Sequence, residues 1–307
     1  MILQIIIFSF NRALQLDTLV NSLISNWENP RYEIDILYNT TNIEFQKGYE
    51  ILIKKLSGYK NIRFHKENPI PDQWSFQELS NIHNFIRYFK YGNKFKPKSN
   101  FRSLCIDIIK GSNSNNVMFM TDDAMFIRKV DITDNTLEWV NEGAKDRQYS
   151  LRCGVDMNSF NENKIEQNEH TLDWNFYECA SNTNWGYPFS VDAHIYSKEV
   201  VLSLFKKYIF CNPNTLEGAI NSQVYRKTLL GRGKASDKPY LLSYPINMVQ
   251  TVANNESLGV SCEMLNKMYL DGYTLNYPIP EIILDFQQYP RKLYFYKNGE
   301  IVIKKLA

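Results

Sequence analysis

The first strand-like segment constrains the fold most. Leu3 to Phe10 is a continuous apolar run, which is typical of a strand covered on both faces. Apolar residues then recur at spacings of three and four from Leu16 to Trp27, as on one face of an amphipathic helix. Asn11-Arg12 ends the run without a small-residue cleavage site, and no basic segment precedes it. We therefore interpret it as a buried strand and not as a signal peptide.

The same alternation of strand and helix patterns continues to about residue 125. The predicted strands lie at residues 33–38, 61–65 and 117–120, and the predicted helices at residues 45–56, 76–89 and 102–110. Strands alternating with helices imply an α/β fold with a mostly parallel, Rossmann-like sheet and helices on both faces.

The pattern is more irregular after residue 125. Two strands are predicted near residues 148–155 and 174–180, and the 292–305 segment predicts a C-terminal β-hairpin because Lys297-Asn298-Gly299 separates two β-rich runs. We interpret the chain as one compact domain with a nucleotide-binding half, 1–125, and a substrate-facing half, 126–307.

Charge and cysteine content narrow the function classes. The 307 residues include 35 Lys plus Arg and 33 Asp plus Glu, a net charge of +2. A dedicated nucleic-acid binder carries a larger basic excess, so we expect no nucleic-acid partner. The five cysteines are widely spaced and form no Cys-x-x-Cys motif, which favours reduced thiols in a cytoplasmic protein.

Polar residues follow three of the predicted strands. Ligands of open α/β sheets bind beyond the carboxyl ends of the strands, so these residues are candidates for a site. The first two strand ends offer positions for a base and a ribose, and the third offers adjacent carboxylates for Mg²⁺ or Mn²⁺. A turn or a helix cap is the alternative role for that carboxylate pair. The candidates are Ser9, Asn11 and Arg12; Asn39; and Thr121, Asp122 and Asp123.

Two of these segments resemble a known family. Ile5 to Arg12 with its following helix, and Val117 to Asp123, are similar to the GT-A fold glycosyltransferases of bacterial surface-polysaccharide synthesis. The resemblance covers roughly residues 1 to 130, and Thr121 stands where the family's Asp-x-Asp motif has its first Asp.

The resemblance implies a reaction and its ligands. A sugar would pass from a nucleotide-diphosphate donor to a glycan or lipid-linked acceptor. Asp123 would hold Mn²⁺ or Mg²⁺, and Asp122 would contact the ribose or the donor sugar. The divalent ion would stabilise the departing diphosphate.

The second half has to supply a base for such a reaction. Inverting enzymes of the family use an Asp or Glu, and Glu217 and Asp192 are the candidates. Glu217 has an alternative role, because Asn214 and Glu217 have the spacing of a capping box. Alternation places Asp192 and His194 on one face of a strand, where His194 is either a third metal ligand or a buried histidine.

Two basic segments are candidate anion contacts. Arg102 ends a stretch with Lys90, Lys94, Lys96 and Lys98, which is either a solvated face or a contact to the diphosphate, to anionic lipid at the inner membrane or to a lipid-diphosphate acceptor. Residues 231–234 contain two glycines and two cations, and we expect a solvated loop or a lid over the diphosphate.

Two other functions compete with glycosyl transfer. A sugar nucleotidyltransferase also needs carboxylate-bound Mg²⁺, but the segment after the first strand lacks the glycine of its phosphate loop. A glycan-binding module on a transferase fold would need neither nucleotide nor metal. The sequence contains no P-loop, no Gly-x-Gly-x-x-Gly and no His-Glu-x-x-His motif, which argues against ATPases, dehydrogenases and zinc proteases.

Overall fold

The computed structural model describes residues 1–29, 31–91, 96–224, 229–249 and 257–306, with only the backbone described at positions 90, 91, 223 and 224. The strands are β1 (Ile2–Phe10), β2 (Arg31–Asn39), β3 (Ile62–Lys66), β4 (Asn116–Thr121), β5 (Ala124–Phe126), β6 (Arg147–Ser150), β7 (Ile165–Asn168), β8 (Thr171–Asn175), β9 (His194–Ser197), β10 (Arg232–Ser236), β11 (Leu241–Ser243), β12 (Thr274–Asn276), β13 (Lys292–Lys297) and β14 (Glu300–Lys305). The α-helices are α1 (Ala13–Asn26), α2 (Ile43–Leu56), α3 (Phe76–Leu79), α4 (Ile82–Tyr91), α5 (Phe101–Gly111), α6 (Asp134–Glu142), α7 (Lys198–Lys207), α8 (Pro213–Val224) and α9 (Cys262–Leu270).

One large sheet runs through both halves of the chain. Its strand order is β3-β2-β1-β4-β9-β6-β10-β8-β7. The first four strands are mutually parallel, and β9 then pairs antiparallel with β4. Strands β6 and β10 are parallel, whereas β8 and β7 are antiparallel to their neighbours. The predicted α/β class is confirmed, and the four adjacent parallel strands lie in the half that the alternating pattern covers.

Helices cover both faces of the sheet, as the sequence predicts. Ile5 and Ile7 of β1 pack into one core with α1 and α2, while Ile6 and Phe8 point to the opposite core with α5, α7 and α8. Successive side chains of a strand point to opposite faces, so a continuous apolar run is required when both faces are buried. Within the described ranges, no helix is both long and apolar enough to cross a bilayer.

The C-terminal hairpin is also confirmed. Strands β13 and β14 pair antiparallel from Lys292–Lys305 to Lys297–Glu300, and β12 extends this small sheet on the other side of β13. Asn298 and Gly299 have φ values of 49° and 85°. Both central residues of a type I′ turn need positive φ, and Asn-Gly provides them at low cost.

Two local predictions are wrong. The helix expected over residues 76–89 is interrupted after Leu79: a capping box of Ser75 and Glu78 begins the single turn α3, and Asn81 begins α4 separately by accepting a hydrogen bond from the His83 N–H. The segment expected as a loop at 231–234 forms most of β10, inside the sheet between β6 and β8. A Cβ on Gly233 would lie 2.4 Å from the Trp174 ring, so glycine there is required by close packing.

Candidate functional site

The carboxyl ends of β1, β2 and β4 open onto a cavity of about 780 Å³. Strand β1 lies between β2 and β4, so the strand order reverses beside β1. This is the switch point at which open α/β sheets bind ligands. The opposite wall comes from the segment before β9, from the start of α8 and from residues 243–249. The lining therefore combines both halves of the chain.

Arg12 is buried at the centre of the cavity floor. Its Nη1 lies 2.8 Å from Asp122 Oδ1 and 3.2 Å from Asp123 Oδ2, and its Nη2 donates to the Asn247 carbonyl at 2.5 Å. Burial lowers the pKa of Arg12, but attraction to the two carboxylates outweighs it and leaves the pKa above its ordinary value. Arg12 therefore holds the predicted carboxylate pair together as a charged cluster.

Asp122 connects β4 to the loop that follows β1. Its Oδ2 accepts hydrogen bonds from Ser9 Oγ at 2.7 Å and from the Phe10 backbone N–H at 3.2 Å, while Oδ1 faces Arg12. Burial and repulsion from Asp123 raise the pKa of Asp122, and Arg12 opposes that shift. Asp122 is 3% exposed, so the structure gives it a positioning role. Its contact with a ribose or donor sugar stays a prediction.

Asn11 and Asn39 shape the two neighbouring loops. Asn11 has φ 59°, a left-handed conformation that Asn tolerates better than most residues. Its side chain donates to Thr41 Oγ1 and accepts from the Thr41 N–H, both at 3.0 Å. Asn39 lines the cavity and donates to Glu67 Oε2 at 3.2 Å. Ser9, Arg12 and Asn39 line the cavity, whereas Asn11 braces the loop from behind.

Thr121 links Asp123 to Asp192 across the cavity. Its Oγ1 lies 2.8 Å from Asp123 Oδ1 and 2.5 Å from Asp192 Oδ1. A hydroxyl carries one proton, so both contacts are satisfied when one of the two carboxyls is protonated. Burial, and then repulsion from Asp123, raise the pKa of Asp192. Thr121 therefore connects the two carboxyl groups across the cavity.

Glu217 lines the cavity and does not cap its helix. Asn212 and Thr215 cap α8 reciprocally: the Thr215 N–H donates to Asn212 Oδ1 at 2.9 Å, and the Asn212 N–H donates to Thr215 Oγ1 at 3.0 Å. The capping interpretation for Asn214 and Glu217 is therefore wrong. Glu217 Oε1 instead accepts from the Val191 N–H at 2.8 Å.

The surroundings of Glu217 change its acidity. Burial and the nearby Asp192 carboxylate raise the pKa of Glu217 to about 7, although the Val191 hydrogen bond and the charge of Arg152 oppose the shift. A carboxylate with a pKa near 7 exchanges protons efficiently at neutral pH. Glu217 thus has the acidity of a general base or a general acid.

His194 is not available as a metal ligand, which corrects the sequence prediction. Its ring is fully buried in the sheet, with Nδ1 2.8 Å from Gln148 Oε1 and Nε2 3.0 Å from Ser150 Oγ. Burial, and then the charge of Arg152, hold its pKa well below the ordinary value. Ala193 has φ 57°, so the alternation expected from Asp192 to His194 is broken between them.

Arg102 is not a cofactor ligand either. Its Nη2 forms an ion pair with Glu78 at 2.7 Å and donates to the Phe205 carbonyl at 2.8 Å, and Nε reaches the Tyr208 carbonyl at 3.3 Å. The side chain is absent from the described cavity lining. Arg102 joins α3, α5 and the end of α7.

Glu67 is a cavity residue that the sequence analysis missed. It follows β3 directly and accepts hydrogen bonds from Asn39 Nδ2 and Ser99 Oγ. Burial raises its pKa. The rule that ligands gather at strand ends, applied to β3 as well as to β1, β2 and β4, would have found it.

Asp123 is the carboxylate best placed for a metal ion. Its side chain is 13% exposed toward the cavity, more than that of Asp122. Among the residues that the structure describes, no three His, Cys, Asp or Glu side chains form a group able to hold a metal. Mg²⁺ is commonly held by one or two carboxylates with substrate phosphates and water. The residues present therefore fit a metal that a diphosphate ligand brings with it.

Comparison with known proteins supports the resemblance seen in the sequence. No protein-family model matches the chain. The chain is 23% identical over 315 residues to the bifunctional glycosyltransferase pgtA of Dictyostelium discoideum, and the alignment covers 89% of this chain and 36% of pgtA. The chain thus spans about a third of the length of this relative. The predicted resemblance to glycosyltransferases is confirmed.

Solved structures of two further proteins are similar to this chain. S. aureus TarS 1–349 in complex with UDP-GlcNAc gives a TM-score of 0.43 at 15% identity, covering 83% of this chain and 62% of that one. The WbbM bifunctional glycosyltransferase in its apo form gives a TM-score of 0.36 at 13% identity, and the match covers 71% of this chain and 37% of that one.

Replacing Arg12 by Met should strongly destabilise the fold. Arg12→Met leaves two carboxylates without their cation, and breaking a buried ion pair in this way costs about 3–5 kcal/mol. Urea unfolding measures this loss in the free energy of unfolding. The control Lys129→Met removes an exposed ion pair with Glu28 and should cost less than about 1 kcal/mol; equal losses would contradict the central role of Arg12.

The two asparagines before and within α8 should differ in their effect on stability. Asn212→Ala removes the N-cap and should lower the free energy of unfolding by about 1 kcal/mol. Asn214→Ala, the matched control, should change it by less than about 0.5 kcal/mol. Thermal unfolding of both variants measures the difference. A larger loss of stability in Asn214→Ala than in Asn212→Ala would show that Asn214 and Glu217 do form a capping box.

Proposed function

We propose that this chain is a glycosyltransferase that moves a sugar from a nucleotide-diphosphate donor to a glycan or lipid-linked acceptor. One observation carries the proposal: Asp123, which is partly exposed to the cavity, and Glu217, whose pKa is raised to about 7, line the same cavity at the switch point of the sheet. The glycosyltransferase name of the relative pgtA supports the same reaction class.

The donor would occupy the side of the cavity formed by the first half. Ser9 and Asn39 offer hydrogen-bonding groups beside the apolar side chains of Phe8 and Leu37, which suits a base and its ribose. Asp123 would hold Mn²⁺ or Mg²⁺ against the diphosphate, where the ion supplies Lewis-acid stabilisation of the leaving group. Arg12 would remain paired with Asp122 and Asp123 and would hold this side of the cavity in position.

The acceptor would occupy the side formed by the second half. Its hydroxyl oxygen attacks the anomeric carbon as the bond from that carbon to the diphosphate oxygen breaks, and Glu217 takes the hydroxyl proton. The electron pair of the broken bond leaves with the diphosphate. Transfer from the face opposite the leaving group inverts the anomeric centre. Asp192 adds to the effect of burial in raising the pKa of Glu217, and it is the alternative base.

The biological setting belongs to the proposal as well. We propose a role in bacterial surface-polysaccharide synthesis, in the cytoplasm, where a lipid-linked acceptor would bring the protein to a membrane surface. The resemblance of the Ile5–Arg12 and Val117–Asp123 segments supports this setting.

Asp123 should be required for metal-dependent donor binding. Thermal unfolding with nucleoside diphosphates and nucleotide sugars, with and without Mn²⁺, should show one nucleotide that stabilises the protein only with the metal. A ligand at 100 times its Kd adds about 2.7 kcal/mol. Asp123→Asn should lose the metal-dependent part of this shift and the sugar transfer.

The control for this experiment is Asp156→Asn, which changes an exposed carboxylate outside the cavity lining. It should retain both the shift and the transfer. Unchanged transfer in Asp123→Asn would remove the metal-ligand role. If the protein consumes a nucleoside triphosphate together with a sugar phosphate, it is a nucleotidyltransferase. If it binds glycan without nucleotide or metal, it is a glycan-binding module.

The pH dependence of transfer should identify the base. A base acts when deprotonated, so kcat/KM should rise as the pH rises through about 7, the pKa of Glu217. In Glu217→Gln this rise with pH should disappear, and the rate of transfer should fall by about 10²–10⁴-fold. Asp192→Asn should shift the rise to lower pH, because it removes a charge that raises the pKa of Glu217.

The two variants serve as mutual controls. Loss of transfer in Asp192→Asn, with Glu217→Gln active, would assign the base to Asp192. Near-normal activity in both variants would rule out either residue as the base and favour a retaining mechanism.

A further inference from the structure

Helix α4 presents its apolar face to solvent and its polar face to the protein. Ile82, Phe85, Ile86 and Phe89 recur at helical spacing and are 60%, 48%, 50% and 66% exposed. A surface helix of a globular protein usually turns such a stripe toward the core. Because the stripe faces solvent in this inverted orientation, it contributes little hydrophobic burial to the stability of the isolated chain.

Polar contacts fix α4 in this orientation. Asn84 is fully buried, where it donates to the carbonyls of Glu78 and Lys207 and accepts from the Ile209 N–H. Arg87 donates to the Gly218 carbonyl and to Ser222 Oγ of α8. The outward direction of the apolar stripe is therefore built into the fold, not a result of loose packing.

The exposed apolar surface extends beyond α4. Phe76 on α3 is 90% exposed, and Ile70 in the preceding segment is 68% exposed. Phe85 and Phe89 lie side by side, with ring centroids 4.5 Å apart. A concentration of exposed apolar side chains within twenty residues is unusual for a protein surface and marks a site that contacts another molecule or a membrane. We call the six residues Ile70, Phe76, Ile82, Phe85, Ile86 and Phe89 the apolar patch.

A basic segment follows the apolar patch in the chain. Residues 79–106 contain six Lys or Arg and no Asp or Glu, while Asp72 and Glu78, which lie before this segment, both contact Arg102. Lys96 and Lys98 are exposed at the cavity, and Lys206 and Lys207 are exposed at the end of α7, where the Lys207 carbonyl receives the Asn84 hydrogen bond. Lys90 and Lys94 lie outside the described side chains. Phe and Ile side chains next to lysines are typical of helices that lie in a membrane interface.

We propose that the apolar patch inserts into the surface of an anionic lipid bilayer, with the neighbouring lysines on the lipid phosphates. The biological purpose of this contact, which is to bring the cavity to a lipid-linked acceptor, rests on the proposed function; the contact itself does not. A two-fold contact between copies would place one basic segment against the other, which is unfavourable. An anionic surface has the opposite, complementary charge.

The geometry connects this surface to the proposed base. Arg87 of α4 bonds to α8, and α8 carries Glu217 on its first turns. Lys96 and Lys98, which follow α4, line the same cavity as Glu217. A bilayer on the apolar patch would therefore lie close to this cavity.

Vesicle sedimentation tests the proposal without donor, metal or acceptor. The protein should bind vesicles of phosphatidylglycerol and phosphatidylethanolamine, bind phosphatidylcholine vesicles more weakly, and lose affinity as salt increases. The double variants Ile82→Ser/Ile86→Ser and Phe85→Ser/Phe89→Ser should each bind at least about tenfold more weakly. Lys206→Gln/Lys207→Gln should lose about fivefold for each lysine on anionic vesicles alone.

The matched control is Ile301→Ser/Ile303→Ser on β14. These isoleucines are 57% and 53% exposed, close to the values for Ile82 and Ile86, so the same change in exposed apolar side chains is made away from α4. The control should bind vesicles as the unaltered protein does, and unchanged thermal unfolding would show that all variants are folded.

Three results would overturn the proposal. The first is no binding of the unaltered protein to anionic vesicles, and the second is equal binding of the α4 variants. The third is a dimer in sedimentation equilibrium that the α4 substitutions break, which would assign the apolar patch to a second copy of the chain. Nucleotide-induced thermal shifts do not depend on lipid, so their failure would count against the proposed function and not against membrane contact.

Discussion

The ion cluster of Arg12 with Asp122 and Asp123 is the interaction on which the rest of the site depends. Two adjacent carboxylates at the end of a strand repel each other, and the buried guanidinium compensates both. The same guanidinium holds the Asn247 carbonyl, and Asp122 holds Ser9 and the backbone of Phe10. One cation thus fixes the loop after β1, the end of β4 and the 245–249 segment around a single cavity.

The opposite wall depends on hydrogen bonds from the segment before β9. The Val191 N–H donates to Glu217, and Thr121 donates to Asp192, so the start of α8 and the end of β4 are tied to two consecutive residues. Ala193 then turns the chain into β9 with a positive φ. The acidity of Glu217 is a property of this arrangement, because burial and Asp192 together produce it.

The sequence predicts the first half well because its signals are local. The apolar run of β1, the 3.6-residue period of α1 and the carboxylates after β4 each lie within a few residues, and they locate Ser9, Asn39 and Asp123 correctly at strand ends. The second half depends on contacts between distant residues. Only the fold shows that His194 faces Gln148 and Ser150.

The errors have similar physical causes. Arg102 belongs to a basic stretch, but its partners come from α3 and α7, which no local pattern connects. Gly231 precedes β10, and the strand begins with Arg232-Gly233, a composition typical of a loop. Glycine stands at position 233 because Trp174 leaves no room there for a side chain. The exposed stripe of α4 has the period of a buried helix, and burial cannot be predicted from period alone.

The Arg12 cluster also has a consequence for the order in which the protein acquires its site during synthesis. Its three contacts join residues 110, 111 and 235 positions apart in the chain. Contacts at such separation form late, because the intervening chain must first be made and ordered. A ribosome-bound chain that ends before residue 247 would keep Arg12 without one of its partners. The floor of the cavity is therefore completed only after residue 247 has been translated.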